Sequence, residues 1–211
     1  MVKKNQLNQK ELFNLALYNQ KLNNFDVAIN LYNRLIEANP NVPLIYYNLG
    51  LIYERQQKKQ LAKKNYKKTI EIDALFFYSY NNLGIIYHQE GDKQNAIKYF
   101  EKVIEINPKY PNVYNNLGLV YASSGNYKEA ITNYIKTLKF DEKNLTAKKS
   151  IIHLLTYYVP KNNHPIINAN NDLRKLHQEY IFSDLLKTKN LSSVLKRSFE
   201  IIKKIENDIN N

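Results

Sequence analysis

The chain has 211 residues, no cysteine and a formal net charge of +12 at pH 7. This length is enough for one extended array or for one to two compact domains. Without cysteine the chain forms neither disulfides nor thiolate metal sites, which fits a reducing compartment. The basic N-terminus is not followed by an apolar run, and no stretch approaches about 18 uninterrupted apolar residues. The sequence therefore predicts no signal peptide and no membrane span, and we expect a soluble, cytoplasmic protein.

Residues of the same type recur along the chain at a fixed spacing of 34 positions. The recurring residues are Leu15, Leu49, Leu83 and Leu117; Gly50, Gly84 and Gly118; Ala28, Ala62, Ala96 and Ala130; and the rings Tyr32, Tyr66, Phe100 and Tyr134. These series define four copies, at residues 9–42, 43–76, 77–110 and 111–144, after an N-terminal extension at residues 1–8. The third copy predicts two amphipathic helices, Phe77–Gln89 and Lys93–Ile106, joined by a turn at Gly91 and Asp92.

The residue types and their spacing point to a known family. The third copy carries Tyr80, Leu83, Gly84 and Tyr87, then Ala96 and Phe100, and it closes at Pro108. This arrangement resembles the tetratricopeptide repeat, with tyrosine where the family often has tryptophan. The resemblance covers about two thirds of the chain. It implies an all-α, right-handed superhelix (an α-solenoid) of four helix-turn-helix repeats, with about three further helices at the C-terminal end.

The first two copies depart from the pattern. Copy 9–42 is degenerate, with Ala16 in place of the glycine, as terminal repeats often are because one face meets water. Copy 43–76 lacks the turn glycine, and its second helix is rich in lysine. We expect Ala62 and Tyr66 to face inward and the lysines to form a solvated outer face, with docking of an acidic partner as the alternative. The lysines are Lys58, Lys59, Lys63, Lys64, Lys67 and Lys68. Nucleic-acid binding is disfavoured by this pattern, because arginines and exposed aromatic rings are missing beside the lysines.

The chain after the fourth copy forms a C-terminal helical segment, residues 145–211. A helix is predicted from Leu145 to about residue 158, packed on the fourth copy. A loop rich in proline and asparagine follows at residues 159–168. Two more helices are predicted, at about 169–187 and 191–209, and the second carries an apolar stripe. Folding back on the array, self-association with another chain and contact with a further domain are the open alternatives for this stripe.

We find no catalytic or metal-binding constellation in the sequence. The glycine-rich phosphate loops, the HExxH pattern and the CxxC pattern are all missing, and acidic residues are scattered singly. Of the four histidines, His153 is expected to be a packed or edge residue of an apolar helix, and His88 is expected to face the groove or its rim. His164 and His177 together do not make a metal site. We therefore expect a protein that is not an enzyme and that uses no cofactor.

A series of asparagines marks the candidate binding groove. The resemblance implies that the first helices of the repeats line a concave face, and the sixth residue of every copy is asparagine: Asn14, Asn48, Asn82 and Asn116. Each amide can donate and accept, so such a row can hold a peptide main chain without reading its side chains. The row resembles the asparagine ladder in the repeat region of O-GlcNAc transferases. Asn81 and Asn115 are predicted to widen the polar strip, and Tyr47 makes the N-terminal half more aromatic.

Three functions are compatible with this pattern. The preferred one is a protein–protein interaction scaffold or adaptor that binds an extended peptide segment in the groove. The alternative is a substrate-presenting arm of a glycosyltransferase, methyltransferase or sulfotransferase type of enzyme whose catalytic domain is missing or separate. The third is binding of an anionic polymer by the lysine-rich second copy. Repeat domains that clamp acidic chaperone tails need cationic groove residues. Only asparagines match at those places here, so we disfavour that ligand.

Overall fold

A computed structural model describes residues 8–157 of the chain, and this part is all α-helix, turn and loop, without a strand. The helices are α1 Gln9–Lys21, α2 Phe25–Ala38, α3 Pro43–Arg55, α4 Lys59–Ile72, α5 Phe77–Gln89, α6 Lys93–Ile106, α7 Pro111–Ser123, α8 Tyr127–Phe140 and α9 Leu145–Tyr157. The all-α fold and both helices predicted for residues 77–110 are confirmed. The predicted N-terminal extension (apart from its last residue), the loop at 159–168 and the helices at 169–187 and 191–209 lie outside the described residues. The assignment of domain boundaries stays a prediction.

Local sequence signals explain where several helices begin. Asn8 caps α1 through a capping box, in which its Oδ1 accepts from the Glu11 amide at 3.0 Å and its own amide donates to the Glu11 carboxylate at 2.9 Å. Helices α3 and α7 each begin with proline, which has no amide hydrogen to leave unsatisfied. Asp92 caps α6 by accepting from the Asn95 amide at 3.0 Å.

The turns inside the helix pairs share one backbone conformation. Asn23, Gln57, Gly91 and Gly125 are spaced by 34 residues, and all have a positive φ between 60° and 81°. Glycine adopts this left-handed conformation without steric cost. The second copy lacks the glycine, yet Gln57 takes the same conformation with φ of 60°. The turn is therefore preserved there at the cost of local strain.

The residue contacts divide the chain into two compact units with a boundary between Val113 and Tyr114; their described parts are residues 8–113 (the N-terminal unit) and residues 114–157 (the C-terminal unit). In the N-terminal unit each helix from α1 to α5 packs against the next one along the chain. Its buried residues form an apolar core between successive helices; the largest fully buried side chains in it include Tyr32, Tyr66, Phe100, Ile52, Leu83 and Ile86. In the C-terminal unit, Ala147, Ile151 and Leu154 of α9 pack with Ala130 and Tyr134 of α8. The predicted packing of α9 on the fourth copy is therefore confirmed.

The recurring glycines allow the two helices of a pair to approach closely. A Cβ added to Gly50, Gly84 or Gly118 would lie less than 3.0 Å from ring carbons of Tyr66, Phe100 or Tyr134, respectively. Each glycine and its ring belong to the same helix pair, 16 positions apart. The series of glycines and the series of rings found in the sequence are therefore two sides of one repeated contact.

The outer face of α1 differs from the corresponding faces of later repeats. Leu15 and Tyr18 are 39% and 60% exposed, whereas the equivalent residues of α3, Leu49 and Ile52, are 3% and 0% exposed. Leu31 and Leu35 of α2 belong to the same core cluster as these α3 residues and help to cover them. Within the described residues, no helix precedes α1 that could cover Leu15 and Tyr18 in the same way. In the described part of the chain, this face of the first repeat is therefore exposed, whereas the same face of α3 is covered.

Within residues 8–157, every helix is too short or too polar to span a bilayer.

Candidate functional site

The predicted asparagine row occupies equivalent places on the first helices of the pairs, but with unequal exposure. Asn14 on α1 is exposed, Asn48 on α3 is only 6% exposed and Asn82 on α5 is half-buried; these three belong to the N-terminal unit. Asn116 on α7 is half-buried and belongs to the C-terminal unit. The role of the four amides as peptide contacts stays a prediction.

Asn82 is held in place by hydrogen bonds to neighbouring side chains. Its Oδ1 accepts from Asn81 Nδ2 at 3.3 Å, and its side chain also hydrogen-bonds the Tyr47 and Tyr66 hydroxyls. Burial raises the pKa of both tyrosines, and the hydrogen bond from Asn82 opposes that rise. The Asn82 amide therefore has a fixed orientation before any ligand arrives.

The two additional asparagines are less accessible to solvent than residues of an exposed polar strip would be. Asn81 is 5% exposed, and the half-buried Asn115 has its Oδ1 enclosed without a hydrogen-bond partner in the described part of the chain. A buried acceptor without a partner costs about 1–3 kcal/mol. Tyr47, the remaining predicted groove residue, is half-buried and contacts the Tyr66 ring at a centroid distance of 5.9 Å.

A surface group of aromatic residues surrounds Tyr47. We call the rings of Tyr47, Phe76, Phe77, Tyr78 and Tyr110 the aromatic cluster. The ring centroids of Tyr47 and Phe76 are 5.0 Å apart, those of Phe77 and Tyr78 are 4.1 Å apart, and those of Phe77 and Tyr110 are 5.1 Å apart. Tyr78 is 45% exposed, and the other four are half-buried. Sequence reasoning identified only Tyr47, although three successive rings at residues 76–78 were a visible signal.

The lysine-rich helix α4 does not direct all its lysines outward. The Lys63 side chain is 14% exposed, and its Nζ lies 2.8 Å from a carboxylate oxygen of Glu90 and 4.3 Å from the centroid of the Tyr87 ring. The prediction that the lysines form a solvated face is therefore wrong for Lys63, which joins α4 to the end of the next first helix. It holds for Lys64 and Lys67, which are exposed.

A second repeated contact links each recurring ring to the residue 12 positions before it. The Tyr32 hydroxyl donates to Gln20 Oε1 at 2.8 Å, and the Tyr66 hydroxyl donates to Glu54 Oε2 at 2.7 Å. In the C-terminal unit the residue at this place is alanine, and Tyr134 hydrogen-bonds Ser150 of α9 instead. Every tyrosine of the series therefore has a partner for its hydroxyl.

The third copy breaks this contact, because its ring is Phe100. The side chain 12 positions earlier is His88, and its Nδ1 is buried without a hydrogen-bond partner among residues 8–157. Burial lowers the pKa of His88 from its usual 6.5, and the charge of Lys93 lowers it further. The neutral imidazole is thus the favoured form at neutral pH. No group of three or more His, Cys, Asp or Glu residues that could hold a metal ion occurs in residues 8–157.

Comparisons with known proteins agree with this repeated geometry. Tetratricopeptide repeat models match residues 44–74, 77–110 and 99–132, and a TPR repeat model matches residues 20–57, so the matches together span more than half of the chain. The chain belongs to the tetratricopeptide repeat family. Among curated proteins, none matches this sequence.

Solved structures show the same tetratricopeptide fold. A crystal structure of the MamA protein is 25% identical, with a TM-score of 0.66, over 88% of this chain and 94% of that chain. A second MamA crystal structure is 24% identical, with a TM-score of 0.61, over 91% of this chain and 96% of that chain. The MamA RS-1 ArsTM double mutant is 16% identical, with a TM-score of 0.66, over 83% of this chain and 97% of that chain. The last two likenesses concern the fold alone.

Tetratricopeptide repeats stack into extended surfaces that such proteins use for binding. Family membership and the MamA-like fold therefore support a protein-interaction scaffold.

Proposed function

We propose that this tetratricopeptide protein binds an extended peptide segment on the surface formed by the first helices of its repeats. The half-buried Asn82 and Asn116 contact the peptide main chain, with weaker help from Asn14 and from Asn48, which is 6% exposed. The observation that carries the proposal is the hydrogen-bonded position of Asn82, whose amide is oriented by Asn81 and two tyrosines. An oriented side chain loses little conformational freedom when a ligand binds.

Asparagine suits this task for a chemical reason. An extended peptide presents amide hydrogens and carbonyl oxygens that must stay hydrogen-bonded when they leave water. One asparagine side chain can accept from the first and donate to the second. Each such bond contributes about 0.5–1.5 kcal/mol net, so several are needed for a stable complex. Binding of this kind depends weakly on the peptide's side chains.

The test is a pull-down from the source cell, read by mass spectrometry. Asn82→Ala and Asn116→Ala are compared with wild type, singly and together, and Asn30→Ala on the exposed face of α2 serves as the matched control. We expect each of the two to reduce partner recovery, the double variant to reduce it further and the control to leave it unchanged. Circular dichroism checks that helicity is preserved. Equal recovery by the double variant and wild type would remove the asparagines from the proposal.

The other predictions about function remain proposals. The cytoplasmic location and the lack of catalytic activity stay predictions from the sequence. Self-association through residues 191–209 also stays a prediction, and that segment lies outside the described residues. The substrate-presenting arm of an enzyme is not favoured, because neither the described residues nor the similar structures point to a catalytic partner domain.

A further inference from the structure

The aromatic cluster exposes apolar surface that the packing of the N-terminal unit does not use. Tyr78 stands at the start of α5, between Tyr47 at a centroid distance of 6.2 Å and Tyr110 at 5.9 Å. Two leucines beside these rings in sequence are also uncovered, since Leu44 is 41% and Leu75 is 71% exposed. Large apolar side chains grouped on a surface mark interaction sites more often than single exposed ones do.

The rings are fixed in place, which distinguishes this surface from a loose hydrophobic edge. Tyr47, Phe76, Phe77 and Tyr110 are half-buried, and each lies within 5.1 Å of another ring of the cluster. The Phe77 and Tyr110 planes meet at 61°, an edge-to-face arrangement that aromatic pairs prefer. A ligand therefore meets a surface that needs little rearrangement.

Two of the polar groups that border the rings are asparagine side chains, which carry no charge. Asn112 Nδ2 donates to the Tyr110 hydroxyl at 3.2 Å, and Asn82 hydrogen-bonds the Tyr47 hydroxyl. The nearby Glu54 carboxylate accepts a hydrogen bond from the buried Tyr66. A second carboxylate, that of Asp73, accepts from the Leu75 amide at 2.9 Å. The surface thus offers apolar faces and neutral donors, and the charges recorded beside it in the described residues are acidic.

These properties match one class of extended ligand. We propose that the aromatic cluster binds a proline-rich segment in the polyproline II conformation; this rests on the proposed peptide-binding function and names the class of peptide. Proline rings pack against aromatic faces, and the polyproline helix has no internal hydrogen bonds, so its carbonyls accept from tyrosine hydroxyls and asparagine amides. The conformation is already extended in the free peptide, which lowers the entropic cost of binding.

The same chemistry argues against two other occupants. An amphipathic helix satisfies its own main chain, so it would leave the bordering amides and hydroxyls unpaired in the interface. An acidic segment would lose the hydration of its carboxylates without gaining a cation in return. A neutral segment with unsatisfied carbonyls avoids both costs.

Isothermal titration calorimetry with end-capped decaproline tests the inference on the full chain. An end-capped decapeptide of alternating glycine and serine is the control ligand, since it is equally long and neutral but lacks rings. Tyr78→Ala removes the exposed centre of the cluster. Tyr18→Ala, which removes a 60% exposed tyrosine from α1, is the matched control variant. We expect decaproline to bind, the control peptide not to bind, Tyr78→Ala to weaken binding by about tenfold or more and Tyr18→Ala to leave it unchanged.

Other results overturn the inference. Three results would each show that the cluster is not a binding site for proline-rich segments. These are equal heats from both peptides, no binding of decaproline, and equal losses of affinity in the two tyrosine variants. Tyr78→Lys covers the case in which Tyr78→Ala folds poorly: it keeps a long side chain but adds a charge, and it must also weaken decaproline binding.

The two proposals fail in distinguishable ways. If partners are lost from the Asn82 and Asn116 variants while decaproline fails to bind, the peptide-binding function stands and the proline-rich ligand is wrong. If decaproline binds through Tyr78 while cell partners are indifferent to both asparagines, the asparagine contacts are wrong and the cluster remains the binding site.

Discussion

Replacing Phe100 by tyrosine should stabilise the protein, because it supplies the hydroxyl that the third copy lacks. In the two preceding copies a tyrosine at this place donates to the side chain 12 positions earlier, at 2.8 and 2.7 Å. The Phe100 ring lies against Gly84 as the Tyr66 ring lies against Gly50, less than 3.0 Å from where a Cβ would be. A hydroxyl added to Phe100 would therefore point toward His88, as that of Tyr66 points toward Glu54.

The expected gain follows from the state of His88. Its Nδ1 is buried without a hydrogen-bond partner in the part of the chain that the structure describes, and an unsatisfied buried acceptor costs about 1–3 kcal/mol. A new hydrogen bond from the introduced hydroxyl removes part of that cost, but the hydroxyl itself becomes buried. We therefore expect Phe100→Tyr to raise the free energy of unfolding by about 1 kcal/mol at pH 7.5. Urea unfolding measures this as a higher midpoint with an unchanged slope.

The gain should also depend on pH. Because the pKa of His88 is lower in the folded protein than the usual 6.5, the unfolded chain binds a proton first as the pH falls. The stability that the neutral His88 contributes is fully present above pH 6.5, and it is lost as the pH falls through 6.5 toward the pKa of His88 in the folded protein. A protonated Nδ1 cannot accept a hydrogen bond, so the advantage of Phe100→Tyr should persist just below pH 6.5 and shrink as the pH falls through the lower pKa of His88 in the folded protein.

A matched background decides whether His88 is the partner. In His88→Leu the added hydroxyl has no acceptor, so Phe100→Tyr should lower stability there. An equal gain with and without His88, or a loss in the wild-type background, would refute the reasoning from the repeated contact.

Two further variants test the repeated packing and the buried lysine. Gly84→Ala should lower the free energy of unfolding by about 1–3 kcal/mol in urea unfolding, because the new Cβ overlaps the buried Phe100 ring; an unchanged midpoint would mean that the helices can separate freely. Lys63→Ala should cost about 1 kcal/mol in the same assay, because Lys63 pairs with Glu90 and lies over a tyrosine ring, whereas the exposed Lys64→Ala should be nearly neutral. Equal effects of the two lysine variants would contradict the distinction between them.

Recurring residue types let the sequence predict the helices. A spacing of 34 residues, with small residues and rings in fixed places, was enough to predict helices Phe77–Gln89 and Lys93–Ile106, and the structure has the same bounds. The reason is that each pair of helices is a local unit whose contacts lie close together in sequence.

Side-chain environment was harder to predict, because it depends on neighbours distant in sequence. Periodicity alone placed Lys63 on an outer face, but Glu90, which is 27 residues later, and the Tyr87 ring enclose it. Asn81 was expected to widen a polar strip, and it is 5% exposed. Neither environment can be predicted from the periodicity of a single helix.

The sequence by itself determined the all-α repeat, its period and the identity of the paired glycines and rings, because these features repeat within a short stretch of chain. Only the tertiary structure decided which of the equivalent residues are accessible. The four asparagines have the same place in their helices, yet Asn14 is exposed and Asn48 is 6% exposed. Tyr47, Tyr78 and Tyr110 come together only when successive helix pairs pack. Burial and clustering are properties of the packed helices, and equal sequence positions therefore do not guarantee equal environments.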